Sequence, residues 1–295
     1  MTAHVTAPAA ALASQLPSWA TLVRAPNPGP MTLDGTNTWV LREPGERFGV
    51  LVDPGPLDAD HLDRLAASGP YAMILVTHGH PDHVEAAPEA ARRFAAPVRL
   101  LAGAALDSLV EEHSLPEEHS LVEERQQPVE PIRDGAELRA GGLTITVLAT
   151  AGHTRDSACF LATGPDGQRV VLTGDTILGR GTTVVAWPDG DLGDYLTSLR
   201  RLAAYHGVPA LPGHGPALAD CAAAAEFYLA HRQARLDQVR QVVASGITGP
   251  AEVVATVYAD VDPVLWPAAE WSVRAQLAYL RDRESPPDQA GLEPQ

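Results

Sequence analysis

Thr77-His78-Gly79-His80-Pro81-Asp82-His83 packs three imidazoles and a carboxylate into the six positions from 78 to 83, directly behind the apolar run Tyr71-Ala-Met-Ile-Leu-Val76. A short aliphatic run closed by Gly and Pro reads as a buried strand. The polar groups therefore sit on a loop at its carboxyl end, where α/β proteins place their chemistry. A lone histidine on a loop is ordinarily a solvated side chain. Several polar groups gathered behind a buried strand are costly to desolvate unless they share a cation, and imidazole with carboxylate is a donor set for Zn or Fe(II). His78 and His80, two apart on an extended turn, can reach one ion. Asp82 and His83 are adjacent and point elsewhere, which suits a second ion beside the first.

Three later strand ends repeat the pattern. Leu143–Leu148 alternates like a half-buried strand and runs into Gly152-His153. A hairpin of Ala158–Thr163 and Arg169–Thr173, turning at Gly164-Pro-Asp-Gly167, ends in Gly174-Asp175. The short strand Val208–Leu211 ends in Pro212-Gly213-His214-Gly215. At each end glycine permits close approach of the backbone to a shared site.

H-x-H-x-D-H behind a hydrophobic strand, followed in order by Gly-His, Gly-Asp and Gly-His, resembles the signature of the metallo-β-lactamase-fold hydrolases. The resemblance implies an α/β chain folded as an αββα sandwich, with one or two metals at the edge between the sheets. By the family pattern His78, His80 and His153 bind a first metal, Asp82, His83 and His214 bind a second, and Asp175 bridges them. Asp82 and Asp175 are then the carboxylates on which catalysis depends. Asp53, at the end of the strand Phe48–Val52, takes the family's supporting position beneath the metal loop. The turn-rich stretch Asn27–Thr38 matches a loop that overhangs the site. Antibiotic-hydrolysing zinc β-lactamases typically carry Cys where this chain has Asp175. An aspartate there looks like the glyoxalase II, ribonuclease and lactonase-type members, so β-lactams are a poor first expectation.

The chain changes character after Pro216. One long helix or two reach Ala244, and amphipathic helices over Ile247–Tyr258 and Trp266–Asp282 flank the turn Asp260-Val-Asp-Pro263. This segment is similar to the small winged-helix-like domain of one branch, which includes the lactamase-beta-like endoribonuclease of animals and many bacterial hydrolases. The expected organisation is a disordered N-terminus over 1–17, a catalytic domain over 18–224, a helical winged-helix-like domain over 225–283 and a disordered tail over 284–295. Val253, Val257, Leu277 and Leu280 must be covered by the catalytic domain or by a second subunit in a homodimer.

Composition narrows the partners. The chain has 295 residues and a formal net charge of −16, and its 21 basic residues are all Arg. Without a basic run to neutralise phosphates, non-specific nucleic-acid binding is disfavoured and DNA is not an expected partner. Cys159 and Cys221 are too few for a disulfide framework and read as core thiols in a reducing compartment. The first residues lack a basic n-region, and no window approaches ~18 uninterrupted apolar residues. A cytoplasmic protein with no membrane contact is expected. His4, His61, His113, His119, His206 and His231 lack the strand-end context and read as solvated. Arg180 and Trp187, on the loop between Asp175 and the helix Leu192–Tyr205, are either substrate contacts or ordinary surface and packing residues.

The resemblance implies two divalent ions, Zn by default with Fe or Mn also admitted by the donors. They would hold a bridging water whose pKa falls toward neutrality, and that hydroxide would attack a small ester, thioester, lactone or amide. Two other functions stay open. Endoribonuclease action on single-stranded RNA is suggested by the winged-helix branch and opposed by the charge. A metal-binding interaction protein without catalysis is opposed by the complete set of seven ligand residues.

Overall fold

The computed structural model describes residues 16–103, 106–109, 127–185 and 187–284. His4, His113 and His119 and nearly all of the two expected disordered ends lie outside these residues.

Two sheets form among the described residues. In the first, β1 (Ala20–Arg24), β2 (Asn37–Leu41), β3 (Gly49–Val52), β4 (Tyr71–Leu75), β5 (Val98–Leu101) and β6 (Val129–Ile132) lie in sequence order. The pairs β1–β2 and β2–β3 are antiparallel, and those from β3 to β6 are parallel. The second sheet has the order β11-β10-β9-β8-β7, built from β7 (Glu137–Ala140), β8 (Leu143–Ala149), β9 (Ala158–Thr163), β10 (Arg169–Gly174) and β11 (Ala210–Pro212).

Side-chain alternation sorts the strands into layers. Val50, Val52, Met73 and Leu75 of the first sheet meet Val147, Phe160, Val170 and Leu172 of the second in an inter-sheet core. Leu51 and Ile74 face the other way, onto helices α1 (Ala59–Ser68) and α3 (Ala87–Phe94) through Leu62, Leu65, Ala90 and Ala91. Cys159 and Val171 face outward from the second sheet onto α4 (Leu192–Leu202) and α5 (Cys221–Ala244). This is the expected αββα sandwich.

Local structure differs from expectation in three places. Asp82 and His83 lie on a one-turn helix, α2 (Pro81–Val84), where a loop was expected, because Pro81 takes the first helical position. The helix that the sequence predicts over Glu85–Ala95 is present as α3 but starts two residues later. Ala86 N–H donates to the Gly55 carbonyl (3.0 Å), and Pro88 then opens α3. His61 is buried, with its Nε2 2.9 Å from Thr38 Oγ1, and His231 is half-buried. Both were expected to be solvated. His206 is exposed as expected.

The C-terminal helices α6 (Pro250–Val257) and α7 (Trp266–Glu284) follow α5 with a 3-10 turn at Pro263–Leu265 between them. Val253, Val257 and Leu280 are buried, and Leu277 is half-buried, in one cluster with Tyr195, Leu199 and Tyr228. The catalytic layer itself therefore covers the apolar stripe. Among the described residues no helix is long and apolar enough to cross a membrane.

Gly152 shows how tightly the second sheet meets α4. Its φ is +138°, and a Cβ there would stand 2.3 Å from Tyr195 Cα. Gly152→Ala combines left-handed strain with a backbone collision, so a loss of about 2–4 kcal/mol is expected in a denaturant titration. A midpoint equal to wild type would contradict this packing.

Candidate metal centre

Each candidate ligand stands at a strand's carboxyl end or just beyond it, and the backbone ties these ends together. Thr77, after β4, accepts a hydrogen bond from Ala158 N of the other sheet (2.7 Å). Gly213 N donates to the Gly174 carbonyl (2.8 Å), joining the loops that carry His214 and Asp175. The overhanging N-terminal loop is stitched to the same place. Asn37 N donates to the Gly213 carbonyl (2.7 Å), and its side chain donates to Pro212 and Gly215.

The result is two adjoining groups of side chains. His78, His80, His153 and Asp175 form one, and Asp82, His83 and His214 the other. In each, one donor atom per residue lies within 4.8 Å of the rest. In the first group His80 Nδ1 is 3.0 Å from both His78 Nε2 and His153 Nε2. In the second, His83 Nε2 is 3.2 Å from His214 Nε2, and Asp82 Oδ2 is 3.1 Å from the latter. Asp175 stands between the groups, with its oxygens 3.4 Å from His83 and His214 and 3.7 Å from His153. All seven residues singled out in the sequence are thus brought together.

The arrangement fits divalent cations on its own terms. Imidazole nitrogens converging head to head cannot all satisfy one another, whereas about 3.3 Å is the donor spacing around a tetrahedral zinc with bonds near 2.0 Å. Asp175 Oδ1 is buried without a hydrogen-bond partner. A Cβ on Gly213 would come within 2.6 Å of both Asp175 Oδ1 and His83 Cε1, so glycine keeps this space open.

The imidazoles are oriented from behind, as metal ligands require. His83 Nδ1 meets Asp53 Oδ2 at 2.8 Å, and Asp53 also accepts from Thr77 N and Thr77 Oγ1. His78 Nδ1 is 3.0 Å from Thr77 Oγ1, and His153 Nδ1 donates to the Val184 carbonyl (2.6 Å). The support expected from Asp53 is present. Thr36, whose hydroxyl donates to Asp82 (3.3 Å), and the Val184 carbonyl were not legible in the sequence, because spacing does not reveal a backbone group or a lone Thr.

Electrostatics divides the two groups. Burial pushes His78 well below the ordinary imidazole range, with His83 adding to the effect. Burial likewise brings His153 to about 4 although Asp175 opposes it. Around His83 the carboxylates of Asp82, Asp175 and Asp53 outweigh burial and raise its pKa well above normal. His214, buried but beside Asp175, rises to about 9. Burial alone would raise Asp175, yet His214 and His83 hold it well below the carboxylate range. The carboxylates thus create a site for positive charge, which protons on His83 and His214 satisfy when no metal does.

Arg180 and Trp187 are both tied to neighbours. Arg180 forms a two-pronged pair with Asp34 (2.5 and 2.8 Å), and Trp187 lies under the Arg274 guanidinium, 5.6 Å from its ring centre. Cys159 and Cys221 are free and buried, as expected of core thiols.

Residues 31–214 match the metallo-beta-lactamase superfamily, and residues 250–284 match the beta-lactamase-associated winged helix domain. The chain belongs to the metallo-beta-lactamase superfamily, and its fold and site define a metal-dependent hydrolase. The lactamase-like protein vrtG of Penicillium aethiopicum is 30% identical to it over 88% of this chain and 77% of its own length. An atrochrysone carboxyl ACP thioesterase of Aspergillus chevalieri is 30% identical over 76% of this chain and 64% of its own. Among solved structures, a metallo-beta-lactamase family protein of Thermus thermophilus has a TM-score of 0.68 and 28% identity, over 90% of this chain and 94% of that one.

Proposed function

We propose that this chain is a dinuclear hydrolase of small acyl substrates, with thioesters foremost and esters, lactones and amides in the same chemical class. The observation that carries the reading is Asp175, a carboxylate within 3.4–3.7 Å of imidazoles from both groups and with one oxygen left unpartnered. The similarity to an acyl-carrier thioesterase is what supports putting thioesters first.

In this reading His78, His80 and His153 hold one ion, Asp82, His83 and His214 the other, and Asp175 both. The donors suit Zn, and Fe or Mn fit them also. When bound, such a pair acidifies a shared water and polarises the scissile carbonyl. The chain's own contribution is geometry. Asp53, Thr77 and the Val184 carbonyl fix the imidazole planes, and Asp82 and Asp175 supply the negative charge that retains the cations. The acyl–sulfur bond breaks, water provides the hydroxyl of the product acid, and the remaining proton leaves with the thiol.

Elemental analysis of the purified protein should find about two divalent ions per chain, falling toward about one in His83→Ala. A ratio of one that added metal does not raise would contradict the dinuclear assignment. A panel of thioester, ester, lactone, amide and labelled single-stranded RNA tests the substrate. Thioester turnover abolished by a chelator and restored by metal is the expected result. RNA cleavage without small-molecule turnover would replace this reading with a nuclease.

A further inference from the structure

A cavity of about 340 Å³ spans from His153 and Asp175 to the C-terminal helices. Leu33, Leu178, Val261 and Leu265 give it an apolar wall. Its charged lining runs against the rest of the molecule. The chain carries a net charge of −16, yet among the described residues that line the cavity Asp175 is the one carboxylate, against the guanidinium groups of Arg180, Arg232 and Arg235.

The three guanidinium groups are not equivalent. Arg180 is neutralised by Asp34 at 2.5 Å. Arg235 is anchored by its Nη1 to the Val257 carbonyl (2.7 Å), with Asp260 at 3.9 Å. Arg232 is 3% exposed and has no carboxylate within ion-pair distance among the described residues. It donates a hydrogen bond from Nη2 to the Thr183 carbonyl and lies over the Tyr195 ring (5.2 Å), while its Nε makes no hydrogen bond among the described residues. A buried cation without a counter-ion is costly. An arginine fork with an unused donor is suited to a planar anionic oxygen group.

We propose that Arg232, backed by Arg235, sets the specificity of this cavity by receiving a carboxylate, or a comparably acidic oxygen, at the far end of an apolar acyl group. The preferred substrates are then thioesters of acids that carry a second acidic group; this rests on the thioesterase reading above. The acyl group is assigned to this cavity, with the scissile carbonyl at the His153 and Asp175 end. The volume suits a small organic group and not a protein carrier.

The test uses two N-acetylcysteamine thioesters of equal chain length, hexanoyl and 5-carboxypentanoyl. Wild type should favour the carboxylated one by about tenfold or more in kcat/KM, the scale of one charge-assisted contact. Arg232→Gln should erase that preference mainly through KM, the carboxylated substrate losing about tenfold more than the hexanoyl one, with partial rescue by Arg232→Lys. Equal loss on both substrates would overturn the proposal and reduce Arg232 to a brace for Thr183. No preference in wild type would overturn it without any variant. Calorimetric titration with the matched thioethers, which lack the carbonyl, reads the same contact without turnover. Tighter binding of the carboxylated thioether supports the proposal even if neither thioester is cleaved, an outcome that would sink the thioesterase reading alone. Equal binding overturns it.

Discussion

Asp175→Ala is expected to lower kcat by about two or more orders of magnitude, the range seen when a key electrostatic group is removed from an active site. The carboxylate is buried between the two groups of imidazoles, and in the dinuclear reading it alone touches both ions. Its loss also leaves His83 and His214 with less compensating negative charge, so metal affinity falls with turnover. The substitution is clean in one respect. The hydroxyl of Thr183 donates to the backbone carbonyl of Asp175, a contact that alanine keeps, so the loop after β10 stays anchored. Turnover and metal content measured on one preparation decide the matter. Activity within a few-fold of wild type with both ions still bound would refute the bridging role.

Truncation after Ala225 is expected to abolish cooperative folding. From the sequence, the helices after this point read as a winged-helix-like domain apart from the catalytic one. The packing argues otherwise. Tyr228, Leu236, Val239, Val253, Val257 and Val273 share one buried cluster with Tyr195, Leu199 and Val171 of the sandwich. At about 1.5–3 kcal/mol for each large apolar side chain buried, these six together match the whole stability of a typical domain. Polar ties go with them. Tyr228 Oη accepts from Leu178 N (3.0 Å), Arg232 donates to the Thr183 carbonyl, and Ser272 Oγ accepts from Val185 N (3.3 Å). All three hold the loop whose Val184 carbonyl orients His153. Circular dichroism and thermal melting of the truncate provide the test. A soluble fragment with a sharp transition near that of the full chain would mean that the C-terminal helices are an independent domain after all.

Much of the molecule was legible in the chain. Alternation within a strand such as Leu143–Ala149 is a local pattern, and it dictates which side chains face the inter-sheet core. The ligand residues were legible because each follows a strand, and the glycines at 152, 174 and 213 stand where a Cβ would collide with a neighbour. Gly174 shows the same requirement, with φ +47° and a Cβ that would fall 2.6 Å from Thr77 Oγ1.

Motif order, read through its resemblance to a known family, was thus enough for the αββα architecture, the superfamily and the set of residues around the centre, because the motifs lie in short stretches of chain. The environment of His61 and His231 came only with folding, since burial depends on what packs over a residue and not on its neighbours in the chain. Folding also closed α5, α6 and α7 onto the sandwich of the same chain. It likewise brought Arg232 to the wall of a cavity that His153 also lines, and no local pattern encodes a pairing of positions 153 and 232.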